Sequence, residues 1–116
     1  MKFSLIDRVI ILESILPLTG TIEQIRIVSS IKTKIKLSEE ENTSLRIIRP
    51  YSNIVQIDNI TSNMLERNTD YLLSEDELNL LKMFTKSVDE NGWVTESSLS
   101  TVEYILNYNI EDYDKE

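Results

Sequence analysis

The chain has 116 residues, with 12 basic and 20 acidic side chains, a net charge of −8, and neither His nor Cys. That length fits one domain, 1–116, able to bury a core without a metal or disulfide staple, and 41% hydrophobic with 28% charged residues is the composition of a globular chain. Lack of His and Cys excludes disulfides, thiolate nucleophiles, Cys/His zinc sites, Ser-His-Asp triads and histidine acid–base catalysis.

The opening MKFSLIDRVIILESILPLTG has an apolar run, Val9–Leu12, that is too short for a signal-peptide core and is flanked by Asp7, Arg8 and Glu13. No stretch approaches the roughly 20 apolar residues of a membrane span. The expectation is a cytoplasmic protein that does not enter membranes.

Ser4 caps a first helix, with Asp7 three residues on. Leu5, Val9, Leu12 and Leu16 follow its 3.6-residue period, Ile10, Ile11 and Ile15 widen the stripe, and Pro17 and Gly20 stop it. Thr21 and Gln24 form a capping box for a second helix. Ile22, Ile25, Val28 or Ser29, Lys32 and Ile35 define one side, with Ile27 and Ile31 beside it. Ser38 and Glu41 cap a short helix reaching Leu45.

The stretch RIIRPYSNIVQIDNI reads as a β-hairpin, 46–49 with 54–58, turning at Pro50-Tyr51-Ser52-Asn53. Residues 59–73 offer only a short helical turn at Met64-Leu65, capped by Thr61 or Ser62. Ser74 and Glu77 then open a strongly amphipathic helix with Leu78, Leu81, Phe84 and Val88 inward, Leu80 beside them, ending at Asp89-Glu90-Asn91-Gly92. Ser97 or Ser98 caps a last helix carrying Leu99, Val102, Ile105 and Leu106, and residues 107–116 form an acidic, frayed tail.

The expected fold is α+β and predominantly helical, with four to five short helices and a small β-hairpin near residues 46–58. The expected core is Leu5, Val9, Leu12, Leu16, Ile25, Val28, Leu45, Leu78, Leu81, Phe84, Val88, Trp93, Leu99, Val102 and Ile105. The echo between LSEEENTSL and LSEDELNLL needs no duplication, since a shared capping box explains it.

Charge is uneven. Residues 1–37 carry six basic and three acidic residues, and residues 51–116 carry four basic and fourteen acidic, a net of −10. Arg26, Lys32, Lys34 and Lys36 gather near the end of the second helix. Cations there complement the helix dipole. The sharper reading is a contact for a phosphate, a nucleotide or an acidic partner, to which Arg8, Arg46 and Arg49 could add. Four cations on so acidic a chain argue against direct nucleic-acid binding.

Residues 87–98 resemble an EF-hand loop centred on Gly92, with Ser87, Asp89 and Asn91 as ligands and Trp93 offering its carbonyl. Ser stands in place of the first Asp, and Ser98 in place of the bidentate Glu, so a helix–turn–helix corner is the better reading. Acid pairs in first helical turns are ordinary, and two glycines allow no phosphate loop. No catalytic residue, metal ligand or cofactor is assigned, and the chain is read as a non-enzyme. Trp93, Tyr104, Tyr108 and Tyr113 cluster late. They suit either core edges or, for Tyr104, Tyr108 and Tyr113, a partner-binding face.

The order of features, an ILPLTG ending, the helix TIEQIRIVSSIKTKI, LSEEE, a β segment and LSEDELNLLKMF before a last helix, resembles a group of small uncharacterised proteins encoded by tailed bacteriophages. The resemblance spans residues 5–106 and departs at RIIRPYSNIVQID, which replaces a more polar hairpin. It implies a phage or prophage origin, a non-enzymatic role and no catalytic residues. The function expected is interaction with a host or virion protein. Sequestering a small ligand such as a nucleotide, to block host defence, is the alternative, and acidic mimicry of DNA a further one. The isoleucines of the first two helices exceed one stripe each, which points to self-association, most simply as a two-fold dimer.

Overall fold

A computed structural model describes residues 1–51, 54–58 and 60–109, with backbone and Ile57 alone in the two hairpin strands. The fold is α+β and predominantly helical, as the sequence periodicity implies. Its elements are β1 (Lys2–Phe3), α1 (Leu5–Ile10), a π-helical turn (Ile11–Ile15), α2 (Ile22–Ile35), α3 (Glu39–Ser44), β2 (Arg46–Tyr51), β3 (Ile54–Asp58), a 3-10 turn (Ser62–Leu65), β4 (Thr69–Asp70), α4 (Glu75–Glu90) and α5 (Glu96–Asn107).

Among the described residues each α-helix begins in a reciprocal capping box: Ser4 with Asp7, Thr21 with Gln24, Ser38 with Glu41, Ser74 with Glu77, and Thr95 with Ser98. Each box satisfies two of the donors a helix start leaves open. The last one corrects the expected cap. Thr95, not Ser97 or Ser98, is the N-cap of α5, and Ser98 is the buried residue answering it.

The first helix does not keep one α-helical period to Leu16. After Ile10 the backbone widens to a π turn, and the Leu16 N–H reaches the Ile11 carbonyl at 3.0 Å. Pro17 has no N–H and drives Leu16 out of helical geometry, to ψ 129°. The wider turn brings Ile11, Ile15 and Leu16 to the core together, where a strict 3.6-residue period would carry one toward solvent. Leu5 and Leu12 are only half-buried, and Ile6, Ile10 and Ile11 take the core positions.

The hairpin pairs Arg46 with Asp58, Ile47 with Ile57 and Ile48 with Gln56, and a shift between Ile48 and Tyr51 leaves Tyr51 opposite Ile54. Pro50 and Tyr51 thus belong to the strand, while the expected turn residues Ser52 and Asn53 lie outside the described residues. Ile57 points into the core. A second antiparallel pair, Lys2 with Asp70 and Phe3 with Thr69, was not anticipated. It buries Met1 and Phe3 and leaves Lys2 outside, the alternation of a strand.

The core also takes in Val28, Ile31, Ile35, Leu45, Leu73, Leu78, Leu81, Val88, Val102 and Ile105. Ile25 and Phe84 are half-buried rather than central. Trp93 and Leu99, both expected inside, are each 48% exposed. Trp93 follows the helix stop: its N–H bonds the Val88 carbonyl and the Gly92 N–H bonds the Asp89 carbonyl, a Schellman ending with Gly92 at φ 71°. Leu99 falls on the outer face of α5, because Ser98, Thr101, Val102 and Ile105 face inward. Among the described residues no helix is long and apolar enough to cross a membrane.

Candidate functional site

Two adjacent charges in the apolar first helix are buried, and each stitches three segments together. Arg8 donates to the Ile35 and Lys36 carbonyls at the end of α2, at 3.0 and 2.6 Å, and takes both carboxylate oxygens of Glu41 on α3, at 2.6 and 3.2 Å. It therefore satisfies carbonyls that the α2 terminus leaves open. The Arg8 hydrogen bond holds the Glu41 carboxyl below the ordinary carboxylate range, outweighing its burial. Arg8 also lies 5.2 Å from the Tyr71 ring centroid.

Asp7 is 1% exposed and accepts four hydrogen bonds. Oδ2 takes the Ser4 N–H at 2.9 Å and Arg67 Nε at 2.7 Å, while Oδ1 takes Arg67 Nη2 at 3.1 Å and the Thr101 hydroxyl at 2.7 Å. Arg67 comes from the stretch 59–73, where the sequence offered only a helical turn. Its guanidinium carbon sits 4.0 Å from the Tyr104 ring centroid, and Nη2 reaches the Ser100 hydroxyl at 3.1 Å. Tyr104 donates its hydroxyl to the Lys2 carbonyl at 2.6 Å and stacks edgewise on Phe3 and Tyr108, at 6.5 and 6.2 Å.

These contacts fix one wall of an open groove of about 730 Å³ along the outer face of α5. Glu96, Leu99, Ser100, Glu103, Tyr104 and Asn107 line it at helical spacings of three and four residues, with Tyr108, Asn109 and Arg67. Lys82 closes the end of α5 by donating to the Leu106 and Tyr108 carbonyls, and burial lowers its ammonium's pKa.

Tyr104 and Tyr108, four residues apart, share one face with their rings in edge contact. Tyr113 lies outside the described residues. Sequence reasoning missed Arg67, Glu96 and Glu103. The available signal was the charge of Asp7, set beside Arg8 in an otherwise apolar run, where a buried carboxylate demands partners.

The basic group does not converge. Lys34 pairs with Glu77 at the start of α4, at 2.5 Å. Burial works against charge on Glu77, but Lys34, the Ser74 N–H and the Ser30 and Ser74 hydroxyls outweigh it and lower its pKa. Lys32 is half-buried on α2, Lys36 is the exposed C-cap where the chain leaves helical geometry at ψ 148°, and Arg26 is exposed. Arg8 is occupied by Glu41, and the side chains of Arg46 and Arg49 lie outside the described residues.

The EF-hand-like loop forms a helix corner. Ser87 and Asp89 are inside α4, and the Asn91 amide donates to the Ser87 carbonyl at 2.8 Å. Ser98 is occupied in the α5 capping box. Among the described residues no group of three acidic side chains is gathered to hold a metal ion.

The isoleucines of the first two helices cover one another. Ile10, Ile11, Ile15, Ile31 and Ile35 are buried, and Ile22 alone stands fully outside. No family model, curated protein or solved structure matches the chain.

Proposed function

We propose that this chain is a non-enzymatic interaction protein, of the phage-encoded kind its sequence resembles, and that it binds a host or virion protein through the α5 groove. The observation that carries this reading is a half-exposed Leu99 beside Tyr104 and Tyr108, on a wall held by the buried Asp7–Arg67 pair. A rigid apolar anchor point beside tyrosines, with a polar rim, is the composition of protein interfaces.

Charge indicates what the partner segment carries. Asp7 neutralises Arg67 from beneath, so the groove's outward charge comes from Glu96 and Glu103, seven residues apart on α5. The complementary segment presents an apolar or aromatic side chain flanked by Lys or Arg.

Selection of a random peptide-display library against the full chain tests this. The expected result is enrichment of basic peptides with one apolar anchor, whose binding is lost in Leu99→Ser and weakened about tenfold in Glu103→Lys. Enriched peptides without basic residues, or peptides indifferent to both substitutions, would overturn the assignment.

A further inference from the structure

The outer face of α5 carries a spacing as well as a charge. Glu96, Leu99 and Glu103 are all exposed, and all three line the groove. With about 3.6 residues per turn and a rise of about 1.5 Å, they lie within about 60° of the helix circumference. Leu99 stands about 4.5 Å along the axis from Glu96 and about 6 Å from Glu103, so the two glutamates are about 10.5 Å apart along it. Neither carboxylate has an ion-pair or hydrogen-bond partner among the described residues. The seam runs on to Asn107, about 16.5 Å from Glu96, which is about three helical turns.

Resting on the reading of the α5 groove as the binding site, we infer that its occupant is an amphipathic α-helix of about three turns, with Lys or Arg at i and i+7 and one apolar anchor between them at i+3 or i+4. Among regular conformations an α-helix alone puts three side chains on one side at these intervals. A strand presents every second side chain, about 6.6 or 13.2 Å apart, and straddles the distance between the glutamates. A polyproline helix repeats at about 9.3 Å, but the side chains in between point elsewhere, so no anchor falls between the two charges. The groove also gives an extended segment no backbone to pair with, because no described strand contributes to its lining. A second copy of α5 is the wrong helix, since it would set Glu96 and Glu103 against glutamates.

The probe is a synthetic alanine-based peptide of about 16 residues, with two arginines seven positions apart and a leucine four positions after the first. A peptide this short is largely unfolded when free, so helix formation accompanies binding. One control keeps the same residues but spaces arginine, leucine and arginine at intervals of two, the alternation of a strand. Another places a proline in the middle of the first sequence. Fluorescence anisotropy of labelled peptides with the full chain measures affinity, and carbon shifts of an isotopically labelled peptide report its bound conformation. The expected result is helical shifts on binding, an affinity at least about tenfold above the strand-spaced isomer, and a loss of about 100-fold on adding proline. Leu99→Ser loses the peptide. The double variant Glu96→Lys with Glu103→Lys rejects it and binds the peptide whose arginines are exchanged for glutamates, while its circular dichroism stays native. A strand-spaced isomer that binds as tightly, through Leu99, overturns the helical occupant and leaves the groove as a binding site. So does a proline peptide of undiminished affinity. Failure of the charge exchange overturns the register, and absence of binding by every peptide up to about 1 mM overturns both the helix and the groove.

Discussion

Replacing Asp7 with Asn tests whether the buried pair beneath α5 holds the fold and the groove together. Asn keeps the size of the side chain but turns one acceptor oxygen into a donor. Whichever way the amide sits, it faces the Arg67 guanidinium and either the Ser4 N–H or the Thr101 hydroxyl, all of them donors to Asp7 now. Breaking a buried ion pair by removing one partner costs about 3–5 kcal/mol. The Arg67 side chain is 30% exposed, so water recovers part of that. One donor left without an acceptor adds about 1–3 kcal/mol. The net expectation is a loss of about 3 kcal/mol, a large share of the 5–15 kcal/mol typical of a domain.

In urea, with a slope of about 1.5 kcal/mol per molar, the unfolding midpoint drops by about 2 M. Arg67→Met costs more than Asp7→Asn, because it strands the more deeply buried of the two charges. The double variant loses less than the sum, with a coupling of about 1–3 kcal/mol. A midpoint shift below about 0.5 M for Asp7→Asn, or strictly additive losses, would refute the reasoning.

The Arg8–Glu41 and Lys34–Glu77 pairs make stability depend on acid. Both carboxyls titrate below their ordinary 4.5 in the fold, so the unfolded chain binds more protons there. Their contribution is full above that ordinary value and lost as pH falls through the lower folded values, so urea midpoints should decline below about pH 4.5, and Glu41→Gln should flatten part of the decline. Gly92→Ala should cost about 1 kcal/mol through its φ of 71°, since beyond its chain neighbours nothing lies within 4 Å of the added methyl, and thermal unfolding measures it. Leu81→Ala should lose about 2–5 kcal/mol in chemical denaturation, whereas Leu99→Ala should lose little despite the identical side-chain chemistry, because Leu81 is fully buried and Leu99 is half outside.

What the sequence disclosed follows from how local each determinant is. Four of the five α-helix starts among the described residues were legible because their capping boxes lie within four residues of chain, and Thr95 escaped because Ser98, not an acid or amide, closes its box. The hairpin was legible because its two apolar runs flank an obvious turn cluster. The β1–β4 pairing was not, since two-residue strands separated by 65 residues leave no periodic trace. The π turn was hidden for another reason. Apolar residues at Ile10, Ile11, Ile15 and Leu16 fit several registers, and only Pro17 with the surrounding core selects one.

The candidate site divides the same way. Tyr104 and Tyr108 could be placed on one face from their spacing. Arg67 could not be joined to Asp7 from spacing alone, because their pairing depends on the chain returning across α1. Side-chain type does not predict burial at Trp93 and Leu99, two large apolar residues that stand half outside. Trp93 follows a Schellman stop, and Leu99 falls opposite the inward stripe of Ser98, Thr101, Val102 and Ile105.

The central claim is that α5 presents a partner-binding groove. Its most direct test is an amide-shift map of the labelled full chain, titrated with a basic, single-anchor peptide taken from the display selection. The account predicts saturable shifts concentrated at Arg67, Leu99, Glu103, Tyr104 and Tyr108, and their disappearance in Leu99→Ser. Shifts concentrated on α2, around Lys32 and Lys36, would contradict it.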